Sequence, residues 1–228
     1  MKVLRQLFIV LIVLSMSACG SGNEQEKARP KMKEATTAAA VKATSKKKTV
    51  VFFGDSLTAG YGIDEKDAFP ALTQKRIDDA GLGYTVVNAG ISGETTAAGL
   101  RRIDWVLKQA VDVFILELGG NDALRGVDPE ETYRNLSGIV ASVQEKYPKA
   151  KILLAGMEAP PNLGNDYTVS FRNAFKRVSE EKQITLMPFL LDGVGGVAEL
   201  NQEDRIHPTA KGHAIVAENL WKWVKAML

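Results

Sequence analysis

Two spacings of apolar residues alternate along most of this chain. Short uninterrupted runs, rich in Val, Ile, Leu and Phe, occupy residues 49–53, 84–88, 111–118, 151–156 and 184–187. Runs of that length and composition suit strands buried on both faces. Between them apolar residues recur every three or four positions. The clearest case is the set Leu136, Ile139, Val140 and Val143, preceded by Asp128 as a cap, Pro129 in the first turn and Glu131 where a capping-box carboxylate would reach back. A last helix over 210–227 places Ile215, Val216, Leu220, Trp223 and Val224 on one side. Strands alternating with helices predict an α/β fold with one parallel sheet covered on both faces, in a single domain over residues 49–228.

The first 48 residues break that pattern. Residues 1–18 carry Lys2 and Arg5, no acid, and an apolar stretch at 7–14 too short to span a bilayer, which reads as a secretory signal. It ends in Ser15-Met16-Ser17-Ala18 before Cys19, the only cysteine. A lone cysteine forms no internal disulfide, and this placement resembles a bacterial lipobox, which implies lipidation of Cys19 and attachment to a membrane; an ordinary signal with an incidental cysteine is the competing explanation. Residues 19–48 hold almost no large apolar side chain and read as a flexible tether. Charge separates there too. Residues 23–48 carry eight basic residues against three acids, whereas 49–228 carry nineteen against twenty-four, so the net +2 hides a basic leash on a mildly acidic body. A solvated spacer, or one lying near anionic headgroups, suits that leash better than a nucleic-acid contact.

In open parallel sheets polar groups converge beyond the carboxyl ends of the strands. Three candidates stand there: Ser56 after the first predicted strand, Gly93 after the second and Asn121 after the third. Ser56 follows Gly54-Asp55, where a sharp turn would present its hydroxyl, although a plain turn or helix-cap serine has the same signature. A serine alcohol needs a base, and only two histidines exist. His207 lies three residues after Asp204, close enough for the carboxylate to orient the imidazole, and Pro208 keeps that loop out of helix. His213 falls inside the last helix with no helpful carboxylate and reads as structural. Asn121, in Gly119-Gly120-Asn121-Asp122, offers uncharged N–H donors for an oxyanion, and the same four residues also make an ordinary turn. Clusters with metal-ligand spacing and a P-loop are both lacking, so no cofactor is expected.

The ordered blocks Gly54-Asp55-Ser56-Leu57, the octapeptide from Asn88 to Thr95, the decapeptide from Glu117 to Gly126, and Asp204 with Ile206-His207-Pro208-Thr209 resemble the GDSL, or SGNH, hydrolases over residues 50–220. The bacterial thioesterase I, lysophospholipase L1 and arylesterase branch is the most similar. That resemblance implies a three-layer α/β/α sandwich with a five-stranded parallel, flavodoxin-like sheet. It implies Ser56 as nucleophile, His207 as base, Asp204 as its orienting acid, and an oxyanion hole made by the N–H groups of Ser56 and Gly93 with the Asn121 side chain. Leu57, Gly120, Pro160, Pro161 and Asn162 would contact substrate. The expected activity is hydrolysis of carboxylic esters, aryl or alkyl esters and lysophospholipids with acyl thioesters as a further class, by an exported, lipid-anchored enzyme of the cell envelope. An O-deacetylase of polysaccharide is the alternative, disfavoured by the few aromatics near the blocks; a binding lipoprotein with a decayed site is disfavoured by intact Ser56, Asp204 and His207. Arg205 departs from the pattern, standing where relatives usually carry Gly, and adds bulk and charge at the site entrance.

Overall fold

The computed structural model describes residues 47–228, so the proposed signal, Cys19 and residues 19–46 of the tether lie outside the described residues, while Lys48, read as the tether's end, instead opens the first strand. Five strands form one all-parallel sheet: β1 (Lys48–Gly54), β2 (Tyr84–Asn88), β3 (Val113–Glu117), β4 (Lys151–Ala155) and β5 (Thr185–Met187), in the order β2-β1-β3-β4-β5. Val50 to Phe53 are fully buried, with no alternation, because helices cover both faces of this central strand. α2 (Phe69–Asp79) and α7 (Ala210–Val224) form one covering layer; α3 (Thr96–Val106), α5 (Pro129–Lys146) and α6 (Asn165–Lys182) form the other.

The predicted elements hold with shifted ends. The third predicted strand loses its first two residues: Asp112 turns its carboxylate to accept from Thr49 N–H at 2.8 Å, pinning the start of β1 instead of extending β3. The fifth begins one residue late, after Gln183 closes α6 in a left-handed conformation at φ 54°. Asp128 caps α5 by accepting from Glu130 N–H at 2.9 Å, as the sequence predicts. Among the described residues no bond to the Glu131 carboxylate completes a capping box.

Strand order decides where a site can form. The chain moves from β1 outward to β2, then crosses back to place β3 on the other flank of β1. Connections leaving β1 and β3 therefore diverge towards opposite layers and open a crevice between the two carboxyl ends. Two short helices, α1 (Ser56–Ala59) and α4 (Gly120–Leu124), start on either side of that opening.

Candidate active site

β1 delivers its last residue into a crowded corner. A Cβ on Gly54 would sit 2.6 Å from the Glu117 carbonyl oxygen and closer still to the Thr58 hydroxyl and Glu117 carboxylate, so only glycine fits. Asp55 then caps α1, its Oδ1 accepting from Leu57 N–H at 3.0 Å, and Ser56 becomes the first helical residue. Gly60, at φ 79°, ends the helix after one turn. The Ser56 hydroxyl is thus held on a rigid turn at the crevice.

The C-terminal loop reaches the same point. His207 Nε2 lies 2.9 Å from Ser56 Oγ, and His207 Nδ1 lies 2.6 Å from Asp204 Oδ2. Asp204 Oδ1 accepts the backbone N–H groups of Ile206 at 2.9 Å and His207 at 3.0 Å. Those bonds, the His207 N–H foremost and the imidazole next, hold the Asp204 carboxyl down at about 2. An ionised carboxylate there draws the imidazole proton to Nδ1, which leaves the Nε2 lone pair facing the serine. The loop itself is clamped. Gln202 Nε2 donates to Tyr61 O at 2.7 Å and to Pro208 O at 3.0 Å, and the Tyr61 ring lies 4.6 Å from the imidazole.

Asn121 enters from the far side as the second residue of α4. Its Nδ2 donates to Asp55 Oδ2 at 3.0 Å, which fixes the amide's rotation and leaves the second hydrogen of the same nitrogen for another acceptor. Gly93 lies on a neighbouring turn at φ 79°, and its N–H donates to no group among the described residues. That turn is secured from three directions. Ile91 N–H donates to Gly54 O at 2.9 Å, Arg125 donates to Gly93 O at 3.1 Å, and Glu94 forms a largely buried ion pair with Arg102.

Beneath Ser56 sit two carboxyl groups that sequence reasoning left without a role. Glu117, wholly buried, accepts from Thr58 Oγ1 at 2.7 Å and Asp55 N–H at 3.2 Å, while its second oxygen has no partner. Burial first, and the neighbouring Asp55 charge second, push its pKa well above the ordinary carboxylate range, against the pull of its bonds to Thr58 and Asp55. Asp55 is pushed up to about 6 by burial, against the pull of Leu57 N–H and Asn121. The signal for Glu117 was available: an acid closing the apolar strand Val113–Glu117.

A cavity of about 470 Å³ opens at these groups. Of the predicted contact residues, Leu57, Gly120, Pro160 and Pro161 line it, together with Met157, Phe189 and Leu191, which the sequence reading did not single out. Asn162 lies outside the lining, exposed on the 3-10 turn Pro161–Leu163, and Gly93 also lies outside it. His213 takes no part: its ring is buried in α7, accepts from Phe69 N–H at 3.2 Å and stacks on Phe69. Burial, with a smaller push from His207, lowers its pKa to about 4 and keeps it neutral. Among the described residues no three His, Cys, Asp or Glu side chains gather as a metal site would require.

Comparison with known proteins decides the membership. Residues 52–215 match the profile of the GDSL-like Lipase/Acylhydrolase family. The chain belongs to that family. It is 39% identical over 181 residues to the esterase TesA of Pseudomonas aeruginosa, covering 79% of this chain and 89% of that protein. Identity to thioesterase 1/protease 1/lysophospholipase L1 of Escherichia coli is 34%, covering 79% of this chain and 85% of that protein. The crystal structure of TesA superposes with a TM-score of 0.76 at 39% identity, covering 79% of this chain and all of the crystallised one. This GDSL-family chain is a hydrolase of ester bonds built on the three-layer sandwich of its relatives.

Proposed function

We propose that this enzyme cleaves carboxylic esters through an acyl-enzyme on Ser56. The unbroken line of contacts from Asp204 through His207 to Ser56 Oγ, at 2.6 and 2.9 Å, carries the reading. Ser56 Oγ attacks the ester carbonyl carbon as His207 Nε2 takes its proton, and Asp204 stabilises the imidazolium. The carbonyl oxygen becomes an oxyanion, held by the Ser56 and Gly93 N–H groups and Asn121 Nδ2. Collapse expels the alcohol, which leaves with the proton from His207. Water then attacks the acyl-enzyme with His207 again as base, releasing the carboxylic acid and restoring Ser56.

The lining favours esters with a substantial apolar part. Leu57, Met157, Pro160, Pro161, Phe189 and Leu191 offer an aryl group or alkyl chain more contact than an acetyl group would use. That supports aryl and alkyl esters and lysophospholipids, in keeping with relatives named esterase and lysophospholipase, over deacetylation of a polysaccharide. Acyl thioesters fit the same chemistry. The cellular setting in this reading is the envelope. Residues 1–18 would direct export, Cys19 would carry the lipid, and the basic segment at 19–48 would tether the hydrolase domain, residues 49–228, to the membrane. Among the described residues no helix is long and apolar enough to cross a bilayer.

Two measurements test this. A fluorophosphonate should label the parent enzyme but not Ser56→Ala, and that variant should lose roughly 10⁴- to 10⁶-fold of p-nitrophenyl butyrate turnover while melting normally. Equal labelling of both removes Ser56 as nucleophile. Radiolabelled palmitate should enter the parent and not Cys19→Ser; incorporation into both would refute the anchor.

A further inference from the structure

Four side chains with ionisable groups face the cavity: Asp55, Glu158, Arg205 and His207. Three have their charge or polarity answered within the protein. Asp55 accepts from Asn121 and Leu57, and His207 is paired with Asp204. Glu158 is gripped by Arg172 through two bonds of 2.7 Å. Arg205 alone has neither an ion pair nor a side-chain hydrogen bond among the described residues. The cavity therefore presents one uncompensated positive charge against a largely apolar wall.

The position of that charge is defined by its backbone. Arg205 N–H donates to Gln202 O at 2.8 Å, Gln202 N–H donates to His207 O at 2.7 Å, and the next two N–H groups go to Asp204 Oδ1. The arginine thus sits between two members of the triad on a closed turn, one residue from Asp204 and two from His207. Its φ is +59°, a left-handed conformation that disfavours any residue with a Cβ and suits glycine. Arg205 is exposed at the cavity, so its guanidinium is solvated in the free protein and open to a group arriving from solution beside Ser56 and His207.

We propose that Arg205 selects esters bearing an anionic group, a carboxylate or a phosphate, close to the scissile bond. The inference rests on the serine-esterase reading above and narrows its substrate class to anionic amphiphiles. The apolar wall takes the hydrocarbon part, and the guanidinium, a planar fork of N–H donors, takes the oxygens of the anion.

Ester pairs with one anionic and one neutral member, each compared across enzyme variants so that other differences within the pair cancel, test this. One pair is para-butyryloxybenzoate and its neutral methyl ester; the other is a short-chain monoacylglycerol phosphate and the uncharged monoacylglycerol. The readout is the ratio of kcat/KM for the anionic over the neutral member. For the parent it should be roughly three- to tenfold higher than for Arg205→Gln. Arg205→Lys should retain most of the preference, and Arg205→Glu should invert it. Added salt should erode the ratio in the parent and leave that of Arg205→Gln unchanged. Arg205→Gly relaxes the backbone, so a fall in its ratio comes from the lost cation and not from lost fold. A response confined to one pair would identify carboxylate or phosphate as the recognised group and sustain the proposal. A ratio equal in the parent, Gln and Glu enzymes, with the neutral esters still cleaved, overturns the proposal and leaves the esterase reading standing. Neutral esters cleaved equally by the parent and Ser56→Ala would overturn both.

Discussion

Two aspartates stand one side chain away from the machinery around Ser56, and the protein treats them in opposite ways. Asp204 is on an open loop, with 38% of its side chain exposed, and its pKa is drawn down to about 2 by N–H donors. Asp55, next to Ser56 in the chain, is 2% exposed and is pushed up to about 6 by burial. The first is built to hold charge at any physiological pH beside an imidazole that becomes positive during the reaction. The second is built around hydrogen bonds: it receives Asn121 and Leu57 N–H and sits above Glu117, whose carboxyl burial also pushes up. Identical side chains gain different roles because one is solvated and surrounded by donors while the other is dry and beside a second carboxyl.

Removing charge from each aspartate without changing its shape breaks the comparison most directly. Asp204→Asn should lower kcat on p-nitrophenyl butyrate roughly 10³- to 10⁴-fold, because an amide can stabilise the wrong imidazole tautomer. A loss under tenfold would mean that the imidazole is oriented by something else. Asn121→Ala should lower kcat by roughly 10²- to 10³-fold with a smaller change in KM, the pattern of a donor used mainly in the transition state. Asp55→Asn acts one bond further away and should cost kcat only about tenfold, by letting the Asn121 amide rotate. Full activity in Asp55→Asn would show that the amide is positioned without it.

Stability sharpens the contrast, because the two carboxyls act in different pH windows with opposite signs of slope. Asp204 has a folded pKa below its unfolded value of 3.8, so the stability it lends is present above about 4 and is lost as pH falls towards 2. Asp55 has a folded pKa above 3.8, so the folded state holds the extra proton, and stability falls as pH rises from about 4 to 6. Below 4 the slope therefore rises with pH through Asp204, and above 4 it falls through Asp55, giving a maximum between the windows from this pair. His213, with a folded pKa of about 4, contributes the opposite slope above 4, so the readout is the variant-minus-parent difference in urea unfolding: it should vary with pH over about 2–4 for Asp204→Asn and over about 4–6 for Asp55→Asn, and a flat difference would reject the assignment. The smallest effect belongs to His213→Ala, which strands the Phe69 N–H: unfolding free energy should drop by about 1–3 kcal/mol, with kcat altered less than twofold.

The sheet and triad were legible for a common reason. Fully buried parallel strands leave uninterrupted apolar runs, and groups that act through short loops leave local spacings such as the one between Asp204 and His207. Cap chemistry at Asp128 was likewise local. What escaped depends on contacts between distant segments. Asp55 and Glu117 meet only because β1 and β3 are neighbours in register, Gly54 opposite Glu117. The start of β3 was misjudged because Asp112 is used by Thr49, sixty-three positions earlier. Phe189 and Leu191 reach the cavity from a loop after β5 that carries no periodic signal. Asn162, expected in the site together with Pro160 and Pro161, is exposed outside the lining, because the 3-10 turn that starts at Pro161 separates it from them.

The Gln202 amide that ties Tyr61 to Pro208 has a bearing on when the enzyme comes into being. Ser56 and His207 stand 151 positions apart, and the clamp between their loops draws one partner from the start of the domain and the other from its last two dozen residues. Under the proposed mechanism, a chain synthesised only as far as β5 holds Ser56 without the imidazole that would take its proton, and the base arrives only with the tail.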